Sequence, residues 1–437
     1  MDEHSRRPNL RTDTWATVDS QHSAPTALVL SEDLVSTMGK LTSRRCKSAL
    51  PFAGKYRLID FALSNCVNSG IESVGVVTQY QPRSLYTHLA YGRPWGLDRS
   101  EGGLALLHPY QVRAGMDWYS GTVDAIRQNL DFVSQSRAGE VFALSGSEVY
   151  SMDLNVMVAQ HRKTGADLTI ASVAVDGRTT GQHRMLIVDE DSRVQAVIAS
   201  EAPGPSLAAM MGIMLFNAAV LRKRVIEDAE RRDSTHDLVR DLVPWMLSCG
   251  DRVMAFQYAG TWSAVHTVFD YWQAHMDLLA EHPTLNLQDA AWPIRTQLET
   301  RPPTRLASGA RVSHSLLSEG CTVDGIVEYS VLSPGVYVAP GAVVRRSVVM
   351  HDATIDERAY VESAILDTEV IVGPQARVGK AYRRAPTSQL SMPEQLTVVE
   401  QGTHIPAQEV VLPDAVAAGW IMPSTHRDVS SARIGAD

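Results

Sequence analysis

Residues 26–66 read TALVLSEDLVSTMGKLTSRRCKSALPFAGKYRLIDFALSNC. Ala27, Leu28, Val29 and Leu30 form a short apolar run that gives way to polar residues at Ser31, the pattern of a buried first strand opening into a loop. Helical periodicity follows over 59–69 and a second apolar run over 73–78. Another helical stretch at 122–133 precedes strand-like runs at 141–144 and 168–175. Strands alternating with helices predict a mostly parallel α/β sheet that takes its ligands beyond the carboxyl ends of the strands. This unit is expected to span 25–300 and to end at the linker Arg301-Pro302-Pro303.

Past the linker the texture changes. Aliphatic residues recur every 17 positions at Val338, Ile355 and Val372, and again at Val344, Val361 and Val378. Each pair is offset by six, and 17 is three six-residue edges less one residue at a corner. That is the footprint of a hexapeptide β-helix whose triangular coils stack their aliphatic residues inward. Glycine-bearing corners at 308–312, 319–323, 334–338 and 340–344 agree. The predicted β-helix spans 301–415, with 396–406 adding a late coil and 416–437 a loose tail. Residues 1–24 lack an apolar core and are expected to form a disordered arm rather than a secretory signal.

Composition fits a globular chain of two folded units: 437 residues, 44% hydrophobic and 20% charged. A formal net charge of −9 without a basic stripe argues against nucleic acid as a partner. No apolar run approaches the roughly 20 residues that cross a bilayer. The four cysteines, Cys46, Cys66, Cys249 and Cys321, lie far apart without CxxC spacing, which favours a reduced cytoplasmic setting over disulfide or metal use.

Several strings in order carry a resemblance. After 26–66 come GKYRLIDFALSNCVNSGI at 54–71, VVTQY at 76–80, DWYSGTVDA at 117–125 and MGIMLFN at 211–217. YWQAHMDL at 271–278 and LNLQDAAWPIRT at 285–296 follow. Over residues 26–380 the chain resembles the ADP-glucose pyrophosphorylase (glucose-1-phosphate adenylyltransferase) family. The resemblance implies a Rossmann-like nucleotidyltransferase domain followed by a left-handed hexapeptide β-helix. It further implies a tetramer that makes ADP-glucose from ATP and glucose 1-phosphate for glycogen synthesis under sugar-phosphate control.

Carried across position by position, the family's chemistry meets departures. Its first loop reads LAGGxGxRL; here the glycines fall on Glu32, Asp33 and Val35 and the arginine on Thr37. A glycine loop binds phosphates because bare N–H groups approach the oxygens at dihedrals that glycine alone tolerates well. Two carboxylates in that place repel phosphate by about 4 kcal/mol per contact at 4 Å and a surface-like dielectric. The family holds Mg²⁺ with two aspartates; Ser147 and Ala264 stand at those positions, and His266 replaces a glycine. Glu148 and His266 are the candidates to compensate, although imidazole is a poor Mg²⁺ ligand. The sugar-phosphate lysine has no counterpart near Glu201, since no lysine occurs between Lys163 and Lys223. What remains is a basic group of Arg44, Arg45, Lys47, Lys55 and Arg57, with Arg240 keeping a positive charge further on. In relatives this neighbourhood binds substrate phosphate or the regulatory sugar phosphate; a solvated basic face is the alternative. Gln79, Tyr80, Tyr119 and Asp124 also match, the tyrosines either lining a nucleotide pocket or packing in the core.

Losses at the loop, both metal positions and the sugar lysine strike one reaction, while the scaffold strings are intact. The first expectation is a non-catalytic or strongly impaired regulatory subunit that assembles with a catalytic paralogue or with itself, needs no cofactor and binds a sugar-phosphate effector. The second is an active adenylyltransferase using Mg²⁺ and ATP through a site rearranged around Glu148, Asp124 or His266. The third is a stand-alone sugar-phosphate sensor.

Overall fold

The computed structural model describes residues 24–31, 38–109, 118–174, 183–199, 207–379 and 396–413. Strand β1 (Thr26–Leu30) is buried on both faces and leads through the short pair β2 (Pro51–Phe52) and β3 (Tyr56–Arg57) into helix α1 (Ile59–Asn68). Strand β4 (Ser73–Val77), helix α2 (Arg83–Leu89) and strand β5 (Gly103–Leu107) come next. Helices α3 (Thr122–Gln128) and α4 (Leu130–Val133) precede strand β6 (Glu140–Ser145), the short strand β7 (Glu148–Tyr150) and helix α5 (Leu154–Thr164). The single helix expected over 122–133 is broken at Asn129, whose side-chain amide donates to the Ala125 carbonyl and the Tyr119 hydroxyl and so competes with the helical ladder.

Strands β8 (Leu168–Ala174), β9 (Arg184–Val188), β10 (Val194–Ala199), β11 (Leu207–Asn217) and β12 (Val253–Gln257) complete a nine-stranded sheet. Helices α6 (Ala218–Ala229) and α7 (Val243–Ser248) lie between β11 and β12. Strands β6, β1, β4 and β5 run parallel and in that order, whereas β11 pairs antiparallel with β6, β8 and β9. The sheet is therefore parallel around β1 and mixed beyond β6. With β4 on one side of β1 and β6 on the other, the strand order reverses there, and the crevice beyond Leu30 and Ser145 is where such sheets take ligands. Strand β13 (Trp262–Ala264) pairs antiparallel with β7 just beyond that edge, and helix α8 (Val268–Asp277) leads toward the second domain. A capping box starts α8: the Thr267 hydroxyl receives the Asp270 N–H while the Asp270 carboxylate receives that of Thr267.

From Arg305 onward, short parallel strands stack into three faces of a left-handed β-helix. Val338, Ile355 and Val372 are direct partners down one face, and Val344, Val361 and Val378 down the next. These side chains are at most 1% exposed, and each contributes about 1.5–3 kcal/mol by burial. The 17-residue step is not universal: Val323 to Val338 and Val327 to Val344 are coils of 15 and 17 residues. Residues 397–411 form the last described coil. The third face is covered by the first domain. Tyr271 and Trp272 of α8 pack with Phe52 and Phe61 against Val348, Met350 and Ile365. The Trp272 indole N–H donates to the Arg346 carbonyl at 2.8 Å. No helix among the described residues is long and apolar enough to cross a membrane.

Candidate active-site crevice

The crevice floor is set by backbone bonds that hold β1 and β6 level: the Gly146 N–H donates to the Leu30 carbonyl at 3.0 Å. Hydroxyls line it, with Ser31 Oγ donating to Ser48 Oγ at 2.7 Å and Ser145 Oγ lying 3.3 Å from Ser147 Oγ. Ser147 is half-buried at the turn between β6 and β7. Ala264, buried, sits opposite Glu148 in the β7–β13 pairing. The two positions where the family places aspartates are thus brought together, but they present a hydroxyl and a methyl group.

Glu148 itself is 6% exposed, and its carboxylate is engaged. Oε1 accepts from the Gly212 N–H at 2.9 Å and Oε2 from the Trp262 indole N–H at 2.8 Å. A Cβ on Gly212 would lie 2.7 Å from Glu148 Oε1, so only glycine admits the carboxylate this closely. Burial pushes the Glu148 carboxyl above its ordinary range, opposed by those two donors and by the nearby Lys47 charge. His266 lies close by, its ring 5.3 Å from that of His183, which also leans on Trp262 at 5.1 Å. Burial first, then Lys47 and His183, pushes His266 down to about 4, with Asp270 opposing. It is a neutral imidazole at neutral pH.

Mg²⁺ prefers oxygen ligands, usually one or two carboxylates with waters. Among the described residues the crevice does not fit it: Ser147 and Ala264 supply no carboxylate, and Glu148 is spent on protein donors. No group of three or more His, Cys, Asp or Glu side chains among the described residues is arranged to hold a metal. The loop positions Glu32, Asp33, Val35 and Thr37 and the neighbourhood of Glu201 lie outside the described residues.

The basic group that is contiguous in sequence is divided in space. Lys47 is buried at the crevice, with Glu148 and His266 both within its field. Arg45 turns away and donates to Asp367 of the β-helix at 2.8 Å and to Gln401 at 3.2 Å. Arg44 is exposed. Lys55 and Arg57 line an interdomain cleft of about 180 Å³ with His88, Glu299, Glu319 and His351. There Arg57 donates to the Ala49 carbonyl at 2.6 Å, and burial and the Arg57 charge push His351 down to about 4.

The remaining residues form a second neighbourhood. Gln79 clasps the Tyr119 backbone, donating to its carbonyl at 3.1 Å and accepting its N–H at 2.5 Å, and Tyr119 is buried. Tyr80 is exposed and stacks on Trp118 with centroids 5.2 Å apart and planes 9° apart. Asp124 accepts from Arg127 at 2.6 Å, from Gln128 at 3.0 Å and from the Ser120 N–H at 3.1 Å. Those contacts outweigh burial and hold its carboxyl below the ordinary range. Asp124 opens on a cleft of about 510 Å³ shared with Trp118, Asp228 and His236. Arg240 is exposed on the turn Leu238–Leu242 that follows Asp237. Sequence reasoning passed over His183, Gly212 and His351. Gly212 stood inside a quoted string, whereas nothing marks His183 or His351 before the fold brings their partners.

Comparison with known proteins bears on this arrangement. Residues 26–281 match the nucleotidyl transferase family and residues 303–399 the GlmU-like C-terminal hexapeptide family. The chain is 37% identical over 393 residues to the glucose-1-phosphate adenylyltransferase of Desulforamulus reducens, covering 90% of this chain and 98% of that protein. It is 39% identical over 346 residues to the enzymes of the same name from Bacillus cereus (strain Q1) and Bacillus anthracis, covering 79% of this chain and 92% of each relative. A nucleotidyltransferase sheet, a left-handed β-helix and this degree of identity together make the chain a member of the glucose-1-phosphate adenylyltransferase (ADP-glucose pyrophosphorylase) family.

Proposed function

We propose that this chain is a non-catalytic member of its family, one that assembles with a catalytic relative and adjusts the supply of ADP-glucose for α-glucan synthesis. The observation that supports this most is the state of the metal positions: Ala264 sits opposite Glu148, Ser147 precedes it, and the Glu148 carboxylate is already held by Gly212 and Trp262. Each lost transition-state contact removes a few kcal/mol, and every ~1.4 kcal/mol is tenfold in rate. The interdomain cleft lined by Lys55 and Arg57 supports the reading that an anionic effector acts there, since side chains of the first domain pack against the β-helix. Differential affinity of an effector for two states of the assembly is all that regulation requires.

The test is an assay for ADP-glucose formation from ATP, Mg²⁺ and glucose 1-phosphate, with the chain alone and mixed with a catalytic relative. No turnover alone, with a changed rate or effector response in the mixture, is expected. Turnover by the chain alone favours a second reading, an adenylyltransferase with a rearranged site, which the high identity to enzymes of that name supports.

A further inference from the structure

Glu148 sits where the sheet would take a ligand. Its two oxygens are met by a main-chain N–H and an indole N–H, within the field of the buried Lys47. A main-chain N–H and a ring N–H converging near a cation are what a protein assembles for an oxyanion. The place lies just past the carboxyl ends of β1 and β6, at the reversal of strand order. Gly212 leaves room there for an oxygen and for no side chain of its own. His183, whose Nδ1 is buried with no hydrogen-bond partner among the described residues, stands against Trp262 at the same edge.

We propose that the Glu148 carboxylate is an internal anion seated in an oxyanion-binding position made by the Gly212 N–H and the Trp262 indole N–H in the neighbourhood of the Lys47 charge, so that the chain's own side chain keeps phosphate-type ligands out of the crevice. The ligand class excluded is a tetrahedral oxyanion, free or carried on a sugar. Two anions sharing a buried site repel, and the donors that would bind the second are already used by the first. The inference concerns the crevice of the proposed function and rests on that reading's claim that the crevice no longer runs the transfer. It goes further by naming the group that closes it.

The experiment is isothermal titration calorimetry in metal-free buffer, with inorganic phosphate and glucose 1-phosphate as probes. The proteins are the full chain, Glu148→Ala, Glu148→Gln and the double variant Glu148→Ala/Lys47→Met. Glu148→Ala should bind at least about tenfold more tightly than the unaltered chain, and Lys47→Met should abolish the gain. A larger gain on glucose 1-phosphate assigns the position to a sugar phosphate; equal gains assign it to a free oxyanion. Equal binding by Glu148→Ala and the unaltered chain overturns the proposal, as does a gain that survives Lys47→Met. If Glu148→Ala does not fold, Glu148→Gln, which keeps the volume without the charge, carries the same comparison with a gain in the same direction. Binding is read without turnover or assembly, so a failure here leaves the regulatory reading standing, and a failure of that reading leaves this one measurable.

Discussion

Arg45 and Asp367 form an ion pair at 2.8 Å that ties the segment after the first strand to the β-helix, with only 7% and 2% of their side chains exposed. Removing one partner strands a buried charge, which costs about 3–5 kcal/mol, whereas replacing both with apolar groups costs far less. Asp367→Ala should therefore lower the denaturation midpoint sharply, and Arg45→Met/Asp367→Leu should recover most of it. A midpoint unmoved by Asp367→Ala would show that the pair is not holding the domains.

Trp272 is 2% exposed, packed between α8 and the β-helix and bonded to the Arg346 carbonyl. Trp272→Ala should cost about 3–5 kcal/mol and loosen the domains from each other. Chemical denaturation followed by hydrogen exchange should then show the β-helix core still protected while residues along α8 exchange early. Uniform loss of protection would mean that both domains unfold as one.

Stability should fall on acidification because of His275. Fully buried, it accepts the Ala53 N–H and contacts the Tyr271 carbonyl, and burial pushes it down to about 4. The unfolded chain, with histidine near ~6.5, binds a proton that the folded chain refuses. The contribution of His275 is full above about pH 6.5 and is lost as pH falls toward 4. Melting temperatures measured from pH 7.5 to 4.5 should drop, and His275→Gln should flatten part of the slope. An unchanged slope in that variant assigns the loss to other groups.

Metal affinity should be recoverable at the two altered positions. The β7–β13 pairing sets Ala264 opposite Glu148, the residue after Ser147, so Ser147→Asp/Ala264→Asp places two carboxylates beside the crevice. Mg²⁺ at ten times its dissociation constant should then stabilise the double variant by about 1.4 kcal/mol, with no shift in the unaltered chain. A Mg²⁺-dependent shift in the unaltered chain would show that the crevice already holds metal.

Much of the architecture was legible because it repeats or alternates. The columns Val338–Ile355–Val372 and Val344–Val361–Val378 announce themselves in sequence because stacked coils place equivalent side chains at a fixed step. The 15-residue coils were not visible, since one shorter edge leaves no period to count. Ser147 and Ala264 were readable as departures only against the family's pattern, and their meeting needed the β7–β13 pairing. The grip on Glu148 was beyond reach: Gly212 lies 64 residues away and Trp262 lies 114 away. The basic residues 44–57 looked like one cluster because a string does not say which way each side chain leaves a tight turn. Lys47 goes to the crevice, Arg45 to the β-helix, and Lys55 and Arg57 to the interdomain cleft.

The last described coil of the β-helix carries a consequence for how such a chain can change over time. Leu366 pairs with Val399 and Val372 with Ile405, both 33 residues on, yet the strands meet in the same alignment as coils half that length. The stack is indifferent to how much chain passes between one edge and the next, because closing a longer loop costs little. That corner is therefore a socket at which evolution can splice in a new appendage, and test it, without renegotiating the scaffold that carries it.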